Sequence, residues 1–173
     1  AVTLIFVQMQ LYAENLYTDE LSGLYNRRYL NAVLAKRKPA GWKSLYGIMM
    51  DVNDFKHIND SLGHSIGDKA VSTMGSILFR SIPDTGMAIR YAGDEFIVLL
   101  AGVDTECVLA TMDEINDNIS QFNSSGAEPF SLSVSMGYAE FGSEDDTETF
   151  LRNMDEKMYE KKRKYHSLNQ ENV

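Results

Sequence analysis

Three acids carry the chemistry this sequence can offer. Asp94 and Glu95 lie between two apolar runs, Met87-Ala-Ile-Arg-Tyr91 and Phe96-Ile-Val-Leu-Leu100, with Ala92-Gly93 as a turn signal and Gly93 free to take a positive φ. Asp beside Gly is also ordinary hairpin-tip chemistry, so this pair alone defines no site. Asp51 follows a third apolar run of strand length, Ser44-Leu-Tyr-Gly-Ile-Met-Met50. If that strand pairs with the hairpin, Asp51 and Asp94 come side by side at one edge of a sheet. Like charges that close are unfavourable unless a cation lies between them. Hard divalent ions use one or two carboxylates plus substrate phosphates, so the acids read as a site for a metal-bound nucleotide. Two solvated strand ends are the plain alternative.

Composition narrows the partners. The chain has 173 residues, 44% of them hydrophobic, enough for one buried core. A net charge of −9 argues against binding a nucleic acid polymer, which relies on many Lys and Arg contacts to phosphate, but leaves room for a small phosphorylated ligand held by metal. Cys107, the single cysteine, falls in a helical pattern and is expected to be a buried reduced thiol, as suits a cytoplasmic domain. No apolar run reaches membrane-spanning length and no secretory signal is present. The chain opens on Ala1 inside an apolar pattern, from which we expect a piece of a longer, membrane-anchored or sensor-bearing protein.

The elements that must position the acids follow from periodicity. Val2, Ile5, Met9, Tyr12 and Leu16 have the a/d spacing of a coiled coil, or of a terminal helix packed on its own domain; residues 1–18 are assigned to this helix or linker, and 19–173 to the main domain. Gly23 breaks the pattern, Asn26 can cap a helix striped by Leu30, Val33 and Leu34, and that helix ends before Pro39. After Asp51 a polar, turn-rich stretch holds Phe55, Ile58 and Leu62 for packing. A loop and short helix here could offer backbone N–H groups to a phosphate. Ile66, Ala70, Val71, Met74, Ile77 and Leu78 form a helix ended by Pro83-Asp-Thr-Gly86, and Val108, Met112, Ile115, Ile119 and Phe122 form another before an Asn123–Gly126 loop. Leu132, Val134, Met136 and Tyr138 alternate with serines as in a strand with one covered face. Thr147 can cap a last helix whose far end, Lys157 to Lys164, is basic, either as a solvated terminus or as a phosphate-facing cluster. Strands and helices in this order predict an α+β sandwich with a mainly antiparallel sheet.

The ordered motifs resemble the GGDEF domains, or diguanylate cyclases. Asp19-Glu-Leu-Ser-Gly-Leu-Tyr-Asn-Arg-Arg28 is similar to the family's D-x-L-T-G-L-x-N-R-R, and Asp51-Val-Asn-Asp-Phe-Lys-His-Ile-Asn-Asp60 with Gly63-His64 and Gly67-Asp68 to D-x-D-x-F-K-x-I-N-D…G-H…G-D. Arg90-Tyr-Ala-Gly-Asp-Glu-Phe96 resembles R-Y-G-G-D/E-E-F in an AGDEF variant. Ser133-Val-Ser-Met-Gly137 resembles the S-I-G strand, and Asp155, Tyr159 and Lys162 the closing D-x-x-x-Y-x-x-K. The resemblance covers nearly everything after about residue 18.

It implies a palm-like sheet covered by helices, similar to nucleotide cyclases and polymerases, and condensation of two GTP into cyclic di-GMP across an antiparallel homodimer with two Mg²⁺ (or Mn²⁺) per active site. Carried over by position, Asp51, the Val52 carbonyl and Asp94 would ligate metal, and Glu95 would assist at the metal or the hydroxyl. Asn59 and Asp68 would bind guanine, whose N1–H and N2–H₂ donors suit an acid at Asp68. Asp54, Phe55 and Lys56 would lie at the β- and γ-phosphates, and Lys162 would reach the triphosphate tail.

Four departures bear on activity. Ala92 replaces the first Gly of the signature, which matters only if φ there is positive. Asn53 stands where many members have Asp, and Tyr165-His166 replace Gly-Arg. Pro83 and Gly86 occupy the positions of the R-x-x-D inhibitory product site, so no product inhibition is expected there. The active cyclase and a degenerate module that binds GTP or a partner protein are both consistent with this pattern.

Overall fold

The structure is a computed structural model, which describes residues 16–36 and 44–170. Most of the expected coiled-coil stripe therefore lies outside the described residues. Leu16 and Tyr17, its last turn, are helical.

The first strand, β1 (Tyr25–Asn26), is short and was not expected from the sequence; it leads into α1 (Arg27–Ala35). Asn26 caps α1 as its position suggests, Oδ1 accepting from the Tyr29 amide at 3.1 Å. Next come β2 (Leu45–Val52), α2 (Phe55–Leu62), α3 (His64–Ser81), the hairpin β3 (Gly86–Ala92) and β4 (Glu95–Ala101), α4 (Thr105–Ser125), β5 (Val134–Glu140) and α5 (Thr147–Gln170). The sheet order is β1-β3-β4-β2-β5, antiparallel except where β1 runs parallel to β3.

Helices cover both faces of this sheet. Tyr46, Ile48, Met50 and Val52 of β2 point into one core with Met74, Ile77 and Leu78 of α3 and Val108 and Ile115 of α4. Leu45 and Met49 point into the other with Leu30 and Leu34 of α1 and Phe150, Met154 and Met158 of α5. Every residue of β2 is buried, which explains why its sequence is a continuous apolar run instead of an alternating one. Because side chains alternate across a strand, Asp51 shares the α1/α5 side with Met49.

Several local expectations are corrected. β5 is covered on both faces, not one. Gly137 carries no side chain because α5 passes directly over it: a Cβ there would collide with the Met158 amide nitrogen and lie 2.6 Å from the Met154 carbonyl. Asp146, not Thr147, caps α5, its Oδ1 accepting from the Thr149 amide at 2.7 Å. The stretch expected to be a loop from Asn123 is still helical through Ser125, and Gly126 at φ +59 supplies the left-handed cap. Leu62 is exposed rather than packed, and Cys107 is free and half-buried.

Candidate active site

The hairpin bends at Gly93-Asp94, where a register irregularity between Arg90 and Ala92 accompanies the turn. Gly93 carries the left-handed backbone at φ +39, and Asp54 is the only described non-glycine residue with positive φ. Ala92 therefore keeps a negative φ and its methyl group incurs no left-handed strain. Arg90 braces the turn. Its Nε donates to the Gly93 carbonyl at 2.9 Å and its Nη1 to Asp19 Oδ1 at 3.1 Å. Asp19 also accepts from the Ser22 amide at 2.9 Å and the Ser22 hydroxyl at 2.7 Å. Burial pushes the Asp19 carboxyl upward, but the Ser22 and Arg90 contacts outweigh it and hold the pKa below the ordinary value. In the sequence Asp19 and Arg90 are legible only as parts of a motif; their joint support of the turn is visible only in the fold.

β2 pairs with the hairpin, and the register places Glu95, not Asp94, directly opposite Asp51. Asp94 sits one residue further into the turn, where its carbonyl accepts from the Val52 amide at 3.2 Å. The carboxylates influence one another. Burial, then the neighbouring Asp51, raises the Asp94 pKa against weaker opposition from Lys162 and Arg90. Burial, then Asp51, Asp94 and Asp155, raises that of Glu95. A direct ion pair reaches this cluster from α5, where Lys162 places Nζ 2.6 Å from Asp51 Oδ1. Asp155, one helical stretch earlier on α5, lines a cavity of about 600 Å³ with Glu95, Arg27, Tyr91 and Arg152.

Asn53, immediately after β2, ties that strand's end to β5 and to the residue before it, through Ser135, the cross-strand neighbour of Asp51, and Ser133. Its Nδ2 donates to Ser133 Oγ at 2.9 Å and its Oδ1 accepts from Ser135 Oγ at 2.7 Å. It is buried, so the amide serves as a strand tie. Asp54 then opens α2 in the left-handed region, φ +56, with its carboxylate turned to α5: Tyr165 donates to Oδ2 at 2.8 Å and His166 Nδ1 stands 4.0 Å from Oδ1. Phe55 packs partly into the core and Lys56 is exposed. Across the α2–α3 junction, Gly67 lets Asn59 lie against the α3 backbone, for a Cβ at Gly67 would overlap Asn59 Oδ1. Asp68 follows, exposed. Pro83 and Gly86 close a tight turn, Gly86 N donating to Pro83 O at 2.7 Å, with no charged side chain at either position.

The donors suit a hard divalent cation bound with a phosphorylated ligand. Burial and the neighbouring Asp51 push Asp94 toward protonation or cation binding, and the Val52 carbonyl follows Asp51 in the chain. Among the described residues no group of three or more His, Cys, Asp and Glu side chains is gathered to hold a metal by protein ligands alone.

A five-stranded mixed sheet with helices on both faces and a carboxylate-bearing hairpin turn beside a carboxylate-ended central strand is the α+β, palm-like fold of nucleotide cyclases. The family model described as "Diguanylate cyclase, GGDEF domain" matches residues 16–167, and the chain belongs to this family. It is 32% identical over 152 residues to the response regulator PleD of Caulobacter vibrioides, covering 84% of this chain and 34% of PleD. It is 33% identical over 150 residues to the diguanylate cyclase DgcS of Shewanella oneidensis, covering 83% of this chain and 49% of DgcS. The chain thus spans between a third and a half of these relatives. The GGDEF domain of DgcB from Caulobacter crescentus, solved in complex with c-di-GMP, superposes with a TM-score of 0.75 at 26% identity, covering 85% of this chain and 90% of that one. A longer DgcB structure with its coiled coil superposes at 0.82 with 24% identity over 94% and 88% of the two chains, a likeness of fold. No described helix is long and apolar enough to cross a membrane.

Proposed function

We propose that this domain is a diguanylate cyclase that condenses two GTP into cyclic di-GMP and two pyrophosphates, working in the cytoplasm as an antiparallel homodimer. The observation that carries the reading is the convergence of Asp51, Asp94 and Glu95 at one end of the sheet beside Lys162. Asp51, Asp94 and the Val52 carbonyl would hold the divalent cations. When bound, these lower the pKa of the attacking 3′-hydroxyl and offset charge on the departing pyrophosphate. Glu95, half-buried and with a raised pKa, is suited to accept the hydroxyl proton. Asn59 and Asp68 orient the guanine, while the backbone of Asp54, Phe55 and Lys56 borders the outer phosphates. With a divalent cation at Asp51, Lys162 would be available to the triphosphate. Each hydroxyl attacks the α-phosphorus held by the partner domain, so positioning supplies most of the catalysis. An input region upstream, outside this chain, sets how often two domains meet.

A second reading, a GTP-binding module without turnover, is favoured by Tyr165-His166, which stand where the family pattern has Gly-Arg and face Asp54. Incubation of concentrated protein with GTP and Mg²⁺, with chromatographic separation of products and an Asp94→Ala control, tests the two. Cyclic di-GMP from the unaltered protein and none from the control establishes the cyclase. GTP binding without product, even in an artificially dimerised form, establishes the module.

A further inference from the structure

We infer that Tyr165 is a positioning residue that holds the Asp54 carboxylate out of the phosphate cradle and so sets the affinity for the nucleotide's triphosphate. The inference rests on the GTP-binding reading above. Asp54 is the first residue after Asn53 and opens α2, so its backbone sits where strand β2 hands over to the helix N-terminus. Its left-handed φ of +56 leads straight into the right-handed first turn of α2, the kind of alternation of hand that turns successive backbone N–H groups toward a common anion. An acidic side chain there is electrostatically opposed to such a ligand, because a free carboxylate near the cradle repels the outer phosphates.

The structure shows how this conflict is managed. The carboxylate reaches across to α5, 111 residues later in the chain, where the Tyr165 phenol donates to Oδ2 at 2.8 Å. His166 stands on the other oxygen at 4.0 Å, and its ring meets that of Tyr165 edge-on, with centroids 5.5 Å apart. Tyr165 and Asp54 both line a cavity of about 360 Å³ that opens between α2 and the 129–133 segment, with His57, Ser61 and Phe130 on its walls. The carboxylate is thus directed to α5 and this cavity. Asn59, proposed to meet guanine, lies instead against Gly67 of α3. Without the phenol hydroxyl, Asp54, about half exposed, can rotate back toward the incoming phosphates.

The test compares four proteins: unaltered, Tyr165→Phe, Asp54→Asn and the double variant. Calorimetry with 3′-deoxy-GTP and Mg²⁺ reads binding without turnover, and phenylalanine keeps the ring's packing. Tyr165→Phe is expected to weaken binding about threefold to tenfold, the range of one lost charge-assisted hydrogen bond at a partly exposed site. In the Asp54→Asn background the same change is expected to alter binding less than about twofold, since the repelling charge is gone. In turnover assays of Tyr165→Phe the change falls on KM, not on kcat. Unchanged or tighter binding by Tyr165→Phe, or an equal loss in both backgrounds, overturns the inference while leaving the GTP reading standing. No binding by the unaltered protein overturns both.

Discussion

The Nζ of Lys162 stands 2.6 Å from Oδ1 of Asp51, tying the end of the central strand to α5 across 111 residues of sequence. Asp51 is almost fully buried and the lysine partly so, which makes the contact stronger than a surface pair. Lys162→Met leaves that carboxylate without its cation. Breaking a fully buried pair is worth about 3–5 kcal/mol, and the partial exposure of the lysine lowers the expected loss to about 1–3 kcal/mol. Urea unfolding in magnesium-free buffer measures it, and added Mg²⁺ should recover part of the loss. A variant as stable as the unaltered protein would show that the pair contributes nothing.

The acids also set a pH dependence. Burial and mutual repulsion raise the pKa values of Asp94 and Glu95 in the fold, so the folded state binds protons more readily than the unfolded chain. Their contribution is therefore most favourable at acid pH. It weakens as pH rises from about 4 through the raised values, and the penalty persists above them. Asp94→Asn removes part of it: in metal-free buffer at pH 7 its melting temperature should exceed that of the unaltered protein by about 1–3 °C. The gap should close toward pH 4. A lower melting temperature for the variant at neutral pH would contradict this electrostatic account.

The AGDEF spelling should matter little. Ala92 has negative φ and is exposed, so Ala92→Gly is expected to change product formation by less than about twofold and to lower stability by about 0.5–1 kcal/mol through backbone entropy. Gly93→Ala places a side chain at φ +39 immediately before Asp94; it should lose about 1 kcal/mol and slow the reaction more. A large gain in rate from Ala92→Gly would overturn the assignment of the strained position to Gly93.

Gly67 is expected to act through Asn59. In Gly67→Ala the new methyl must displace the Asn59 amide, while the better helix propensity of alanine offsets about 1 kcal/mol of the crowding. The expected outcome is a KM for GTP raised about tenfold with stability changed by less than about 1 kcal/mol. Steady-state kinetics beside a denaturation curve separates the two effects. Equal KM values would mean that Asn59 does not orient the base.

Much of the architecture is legible as pattern. The apolar runs at 44–50, 87–91 and 96–100 are strands, and the 3.6-residue stripes from Ile66 and Val108 are helices, because periodicity reports burial directly. Features that depend on a partner distant in sequence are not legible. Strand β1 is too short for a pattern and exists because Tyr25 and Asn26 meet Ile89 and Arg90. Ser135 and Gly137 in β5 suggest an open face, yet Gly137 is small because α5 passes over it and Ser135 is spoken for by Asn53. Leu62 and Cys107 are apolar in type but fall where no neighbour covers them fully.

The order and spacing of the acids, Asp51 after a buried run and Asp94-Glu95 at a hairpin bend, were determined by the sequence itself, since strand length and turn chemistry are local properties. Only the tertiary structure decided that Glu95 faces Asp51 across the strands, that Lys162 rather than another residue of the basic helix end reaches Asp51, that Asn53 is a strand tie and that Tyr165 captures Asp54. Each of these depends on register and on which face of a helix meets the sheet. A shift of one residue along a strand or helix would reassign them all without altering any local pattern.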